Sequence, residues 1–241
     1  MTQRGPETAG DDSVPSLSWS GTARGVRDLL PASVAVLAFG IGFGAAAVER
    51  GLQPVEAVAM SALVFAGASQ FAALELWREP MPWLALIVTT LAVNARHLVL
   101  GATLGDLLGR APPGRRYAVL ALLSDANWAA TRQAAQKGER DLGHLLGGGL
   151  MLWASWVAGG AVGALVGDEL GDLRRLGLDA LLPAFFVSVL ASQTRGVRDL
   201  TRWFAAAALT LILARFMAGH WAVILGAALA ALPGSGADAR N

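Results

Sequence analysis

The chain has 241 residues, of which 54% are hydrophobic and only 15% charged, and its mean hydropathy is +0.50. A soluble domain carries about a quarter charged residues, so 19 basic and 18 acidic side chains are too few to coat one of this size. A net charge of +1 excludes the basic footprint that nucleic acid requires, and the absence of cysteine excludes disulfides, thiolate zinc sites and cysteine nucleophiles.

In chain order, residues 1–28 are polar and mixed in charge, with no apolar core ahead of a small-residue cleavage site. They read as a disordered tail and not as a signal peptide. Residues 29–232 read as one membrane-embedded domain, and 233–241 as a second disordered tail. A membrane helix needs roughly 20 apolar residues. The apolar stretches are Leu29–Val48, Val55–Trp77, Trp83–Leu104, Tyr117–Gln136, Leu142–Gly167, Asp179–Gln193 and Trp203–Met217, with His220–Leu232 as an eighth candidate. They are continuous rather than alternating in polarity, which disfavours a β-barrel. The expected fold is all-α: a polytopic transmembrane helical bundle of seven or eight spans. Loops on the side of the amino terminus hold ten Lys and Arg against six on the other, which places the amino terminus in the cytoplasm.

The first span carries Gly40, Gly42 and Gly44 at alternate positions. That is not an i, i+4 face, so a locally opened helix is expected there. In the second span, the run from Val64 to Phe71 puts Gly67, Ser69 and Gln70 near mid-membrane. Such an interruption breaks a helix where it lines a cavity and frees backbone groups for a ligand. Alternatively, Gly67 and Ser69 are packing residues and Gln70 bonds a neighbouring helix.

The third span holds Asn94, Arg96 and His97 near its middle, and the fourth holds Asp125 and Asn127. A charge at mid-bilayer costs roughly 2.5–3.5 kcal/mol on insertion scales. Arg96 and Asp125, at similar depth on consecutive antiparallel helices, are therefore expected to pair. The pair either handles a solute or is a static strut, a task that apolar residues often perform as well. His97 is a candidate proton carrier, because histidine changes charge near neutral pH, or else a satisfied hydrogen-bonding group.

Gly101 with Gly105, and Gly159, Gly163 and Gly167 in the fifth span, have the spacing of helix contact faces. A glycine-lined permeation path is the alternative. In the sixth span Leu181-Leu182-Pro183-Ala184 echoes Leu29-Leu30-Pro31-Ala32, a short sign of the internal inverted repeat that transporters often contain. His97, His144 and His220 have no metal-ligand spacing, so neither a metal nor a cofactor is expected.

Taken together, these stretches resemble the AzlC family of branched-chain amino acid permeases. The likeness is carried by Phe39-Gly40-Ile41-Gly42-Phe43-Gly44, by the run from Met60 to Phe71, by Val93-Asn94-Ala95-Arg96-His97-Leu98, by Ser124-Asp125, and by Gly177-Leu178-Asp179 with Pro183. It runs from about Arg24 to Leu232. Ala126-Asn127 departs from the family pattern, standing where an acidic residue and a hydroxyl would follow.

The resemblance implies a non-enzymatic cell-membrane exporter of branched-chain and similar apolar amino acids, working with a small AzlD-type membrane subunit. Joined to the polar residues, it assigns Arg96 and backbone N–H groups near Gly67 to the substrate carboxylate, Asp125 and Gln70 to its ammonium, and Phe65 and Phe71 to its side chain. Ser69 and Asn94 stand beside them. Proton uptake at Asp125 or His97 would couple export to the proton gradient. Two competing readings exist. An intramembrane enzyme using Asp125 and His97 has only Ser124 as a nearby hydroxyl, about 100° away from Asp125 on a helix. A non-transporting scaffold gives no reason for an arginine at mid-membrane.

Overall fold

The computed structural model describes residues 15–109, 111–166 and 196–216, together with Ala222 and Leu225. The chain divides into two compact units, Met1–Leu173 and Arg174–Asn241, and every candidate site residue lies in the first. The described residues form helices and no strand, the all-α membrane fold that the apolar runs imply.

The first unit contains α1 (Trp19–Glu49), α2 (Pro54–Val64), α3 (Gly67–Leu76), α4 (Trp83–Ala102), α5 (Gly105–Leu108), α6 (Pro113–Leu120), α7 (Asp125–Gln136) and α8 (Leu142–Val166). Helices α1, α4 and α8 are each long and apolar enough to cross a bilayer. Ser18 caps α1, its hydroxyl accepting from the Gly21 N–H at 2.9 Å. The helix therefore begins ahead of the first apolar run, and residues 19–28, expected in the tail, are helical.

The second span is broken, as expected: α2 ends and α3 begins on either side of Phe65 and Ala66. The two pieces do not run straight through: the Arg50 guanidinium, just past the end of α1, donates to the Leu74 carbonyl at 2.8 Å and pairs with Glu75 at 3.2 Å, so α3 turns back toward the end of α1 where α2 begins. The fourth span is also two helices, α6 and α7, and not the single run expected over Tyr117–Gln136. Ser124 supplies the physical reason. Its hydroxyl accepts from the Asn127 N–H at 3.3 Å, starting a new helix at Asp125 instead of continuing the old one.

The principal packing is between α1 and α8. Gly21 and Gly25 lie against Asp141, His144 and Gly148, while Gly40 and Gly44 lie against Trp156, Gly159, Gly160 and Ala164. The two helices therefore run in the same direction. A Cβ on Gly40 would come within 2.7 Å of the Trp156 carbonyl, and one on Gly44 within 2.7 Å of the Ala164 nitrogen. Gly159 and Gly163 are equally tight against the backbone at Leu37 and Ile41. Their expected role as contact residues holds, whereas the opened helix expected at Gly40–Gly44 does not form. Gly40 and Gly44 are themselves an i, i+4 face, and Gly42, on the other side, meets nothing within 4 Å.

Gly101 has only an ordinary 3.7 Å approach from Leu120, and Gly105 opens α5 in free space, so that pair forms no contact face. At the start of the α1–α8 pair, the Asp141 carboxylate accepts from the Ser18 N–H at 3.1 Å, from the Ser18 hydroxyl, and from the Gly143 N–H at 2.7 Å. The Arg24 guanidinium pairs beside it with Glu139.

In the second unit, α9 (Val197–Leu213) covers most of the seventh expected span. The expected sixth span, the His220–Leu232 candidate, the Leu181–Ala184 echo, Gly167 and the two chain ends beyond residues 15 and 225 lie outside the described residues.

Candidate functional site

The break in the second span sets the site. Phe65 adopts the left-handed region (φ 40°, ψ 46°), which ends α2; for a residue with a Cβ this costs roughly 1–2 kcal/mol. Gly67 follows because the Trp156 ring of α8 lies where its Cβ would be, with Cη2 at 2.8 Å. The broken backbone is held by side chains. The Ala66 carbonyl accepts from the Gln70 N–H at 3.0 Å and from the Ser69 hydroxyl at 2.9 Å, and Ala66 N–H donates to Gln70 Oε1 at 3.3 Å.

Gln70 is fully buried, and its Oε1 also accepts the Trp156 indole N–H at 3.0 Å. Two donors on one atom fix the amide orientation. The Gln70 Nε2 is left buried with no partner among the described residues. Ser69 Oγ in turn accepts from Asn94 Nδ2 of α4 at 3.2 Å, leaving Asn94 Oδ1 as a buried acceptor without a partner among the described residues. Phe71 meets Phe43 edge-on at 5.7 Å, and Phe43 stacks on Trp156 at 5.8 Å, an apolar wall beside these amides.

Two residues along α4, Arg96 Nη1 pairs with Asp125 Oδ2 at 3.0 Å. The ion pair read from the sequence is thus formed, with Asp125 in the first turn of α7 instead of mid-helix. The pair is open: the side chains are 38% and 42% exposed, and the Arg96 Nε, itself buried, has no partner among the described residues. His97 is not brought to it. Its Nδ1 lies 3.3 Å from the Asn94 carbonyl of its own helix. Asn127 is completely buried and donates to the Leu122 and Leu145 carbonyls at 3.3 and 2.8 Å, joining α7 to α8. Ser124, the hydroxyl an enzyme would need, serves as a helix cap.

The free end of Gln70 is an N–H donor, which suits an anionic group, whereas the free end of Asn94 is an oxygen acceptor. Trp156 escaped sequence reasoning, since an indole in an apolar run reads as bulk. So did a second cluster, in which His144 of α8 lies 3.2 Å from Asp28 of α1 and 3.3 Å from Thr131 of α7.

The comparisons with known proteins agree in kind. The family model described as AzlC protein matches residues 31–170. "Inner membrane protein YgaZ" of Escherichia coli is 29% identical over 176 residues, covering 70% of this chain and 71% of that protein. A membrane protein of Archaeoglobus fulgidus is 33% identical over 157 residues, 64% of this chain and 67% of its own length. "Branched-chain amino acid transport protein AzlC" of Bacillus subtilis is 26% identical over 165 residues, 68% and 64% of the two chains. No solved structure matches the chain.

Proposed function

The chain belongs to the AzlC family, a family of membrane transport proteins and not of enzymes, and from that premise we propose that it exports branched-chain or similar apolar amino acids across the cell membrane. The amino terminus faces the cytoplasm, and a small AzlD-type subunit assists. The observation that carries the reading is the set of unsatisfied polar atoms at the helix break. Leaving a buried polar atom unpaired costs about 1–3 kcal/mol, so a cluster of them fits a polar guest. The Gln70 Nε2 and the Arg96 guanidinium suit a carboxylate, the Asn94 oxygen and Asp125 suit an ammonium, and Phe71, Phe43 and Trp156 suit an apolar side chain.

An ion pair that only braced helices would gain nothing from an open flank. Arg96 and Asp125 keep more than a third of their surfaces free, where a solute can compete for either partner. Proton uptake at Asp125 resets the pair and couples export to the proton gradient; His97, held to its own helix, is the weaker carrier. Helix α4 buries no residue, which leaves its apolar sides for lipid and for the small subunit.

The test is efflux of valine, leucine and isoleucine from preloaded cells. Arg96→Ala reduces efflux by about tenfold or more while the protein is recovered from membranes at normal abundance. Efflux at the wild-type rate in that variant would refute the site.

A further inference from the structure

The His144 cluster lies apart from the substrate residues, and nothing in the transport reading uses it. His144 sits in the first turn of α8 and is 1% exposed. Its Nε2 lies 3.2 Å from Asp28 Oδ2 and its Nδ1 lies 3.3 Å from Thr131 Oγ1. The Asp28 side chain is 56% exposed, immediately ahead of the apolar run that starts at Leu29. A sealed imidazole is therefore in contact with a carboxylate whose side chain is more than half exposed.

We propose that Asp28, His144 and Thr131 form a proton-binding site through which transport responds to the pH gradient, an inference that rests on the transport reading above. The geometry satisfies both protonation states. Neutral His144 donates Nε2–H to Asp28 and accepts the Thr131 hydroxyl at Nδ1. Protonated His144 keeps the first bond and donates Nδ1–H to Thr131 Oγ1, whose own proton turns to a carbonyl of the preceding helical turn. The added charge meets Asp28 directly, so the buried imidazolium is compensated.

Most neighbouring charges are otherwise engaged. On α1, Arg24 pairs with Glu139, and exposed Arg27 precedes Asp28. Asp141 takes the Ser18 and Gly143 donors. On α7, Arg132 donates to the Thr103 carbonyl at 3.2 Å and Asp125 is held by Arg96. The turn of α8 above His144 offers only Gly147 and Gly148.

Helix α7 joins the two sites. Thr131 lies six residues, about 9 Å, along it from Asp125, and Asn127 between them bonds the Leu145 carbonyl next to His144. A change in what Thr131 donates or accepts therefore acts on the helix that presents the Asp125 carboxylate.

The experiment uses the full-length protein in liposomes with radiolabelled leucine. Counterflow at equal pH on both sides reports carriage alone, and accumulation under an imposed pH gradient reports coupling. In the wild type both occur, and counterflow varies with pH. In His144→Gln, counterflow loses that variation while gradient-driven accumulation falls by about tenfold or more. Asp28→Asn, altering an exposed carboxylate, reproduces the loss and decides the matter if His144→Gln is not recovered folded. An unchanged pH profile and unchanged accumulation in the folded variant overturn the proposal. Wild-type counterflow with no response to the gradient overturns it too, together with proton coupling at Asp125, and leaves amino acid carriage standing. Absence of wild-type counterflow defeats the transport reading itself.

Discussion

Asp141 shows how one carboxylate can secure two helix starts. Burial alone would raise its pKa, but the Ser18 hydroxyl, the Ser18 N–H and the Gly143 N–H outweigh that and hold it below the ordinary carboxylate value. A group whose folded pKa is lowered adds stability that is complete above its unfolded value, near 4, and is lost as pH falls through the folded value. Thermal melts of purified protein will therefore lose stability as acid is added below about pH 4, and Asp141→Asn will flatten that limb while lowering stability at neutral pH. At this scale, legibility followed expense. Arg96 and Asp125 stood out because a charge inside an apolar run has no inexpensive place, and the pair duly forms. Asp28 and His144 stand at the ends of apolar runs, where charge is ordinary, so nothing in the sequence pointed from one to the other across 116 residues. The orphan donor on Gln70 was hidden likewise, since which end of an amide is consumed depends on an indole 86 residues away.

Among the elements, the broken second span was readable from Gly-Ala-Ser-Gln set in an apolar run. The break before Asp125 was not, because Leu120-Ala121-Leu122-Leu123 is helix-forming and apolar, and only the cap at Ser124 divides it. Glycine spacing was read correctly on α8 and wrongly on α1: three alternate glycines disguised an i, i+4 pair with an idle residue between them. The difference is measurable. Gly163→Leu forces a side chain into the Ile41 and Ala45 backbone, and overpacking of this kind costs about 1–3 kcal/mol. It will lower the melting temperature in detergent and the monodisperse yield. Gly42→Ala, facing open space, will leave both unchanged or raise stability by up to about 1 kcal/mol through helix propensity.

For the molecule as a whole, the shared direction of α1 and α8 requires an odd number of crossings between them, and α4 supplies one, since α3 turns back to the end of α1 and Leu104, Leu108 and Ala111, ahead of α6, pack with Leu142 and Leu145 at the start of α8. The absence of cysteine makes the orientation simple to test. Lys137→Cys, in the turn between α7 and α8, will react with a membrane-impermeant maleimide from the cytoplasmic side, and exposed Gln53→Cys, between α1 and α2, from the opposite side. The reverse pattern would invert the topology. The α1–α8 pairing also sets a schedule for biogenesis. The residues that meet, such as Ser18 and Asp141, are 123 positions apart. A ribosome adding roughly 5–20 residues per second therefore takes on the order of ten seconds between delivering the first and delivering its mate. Throughout that interval the nascent first segment has only lipid or the insertion machinery against its glycine flank, so early quality control falls on a half-made bundle whose tightest seam does not yet exist.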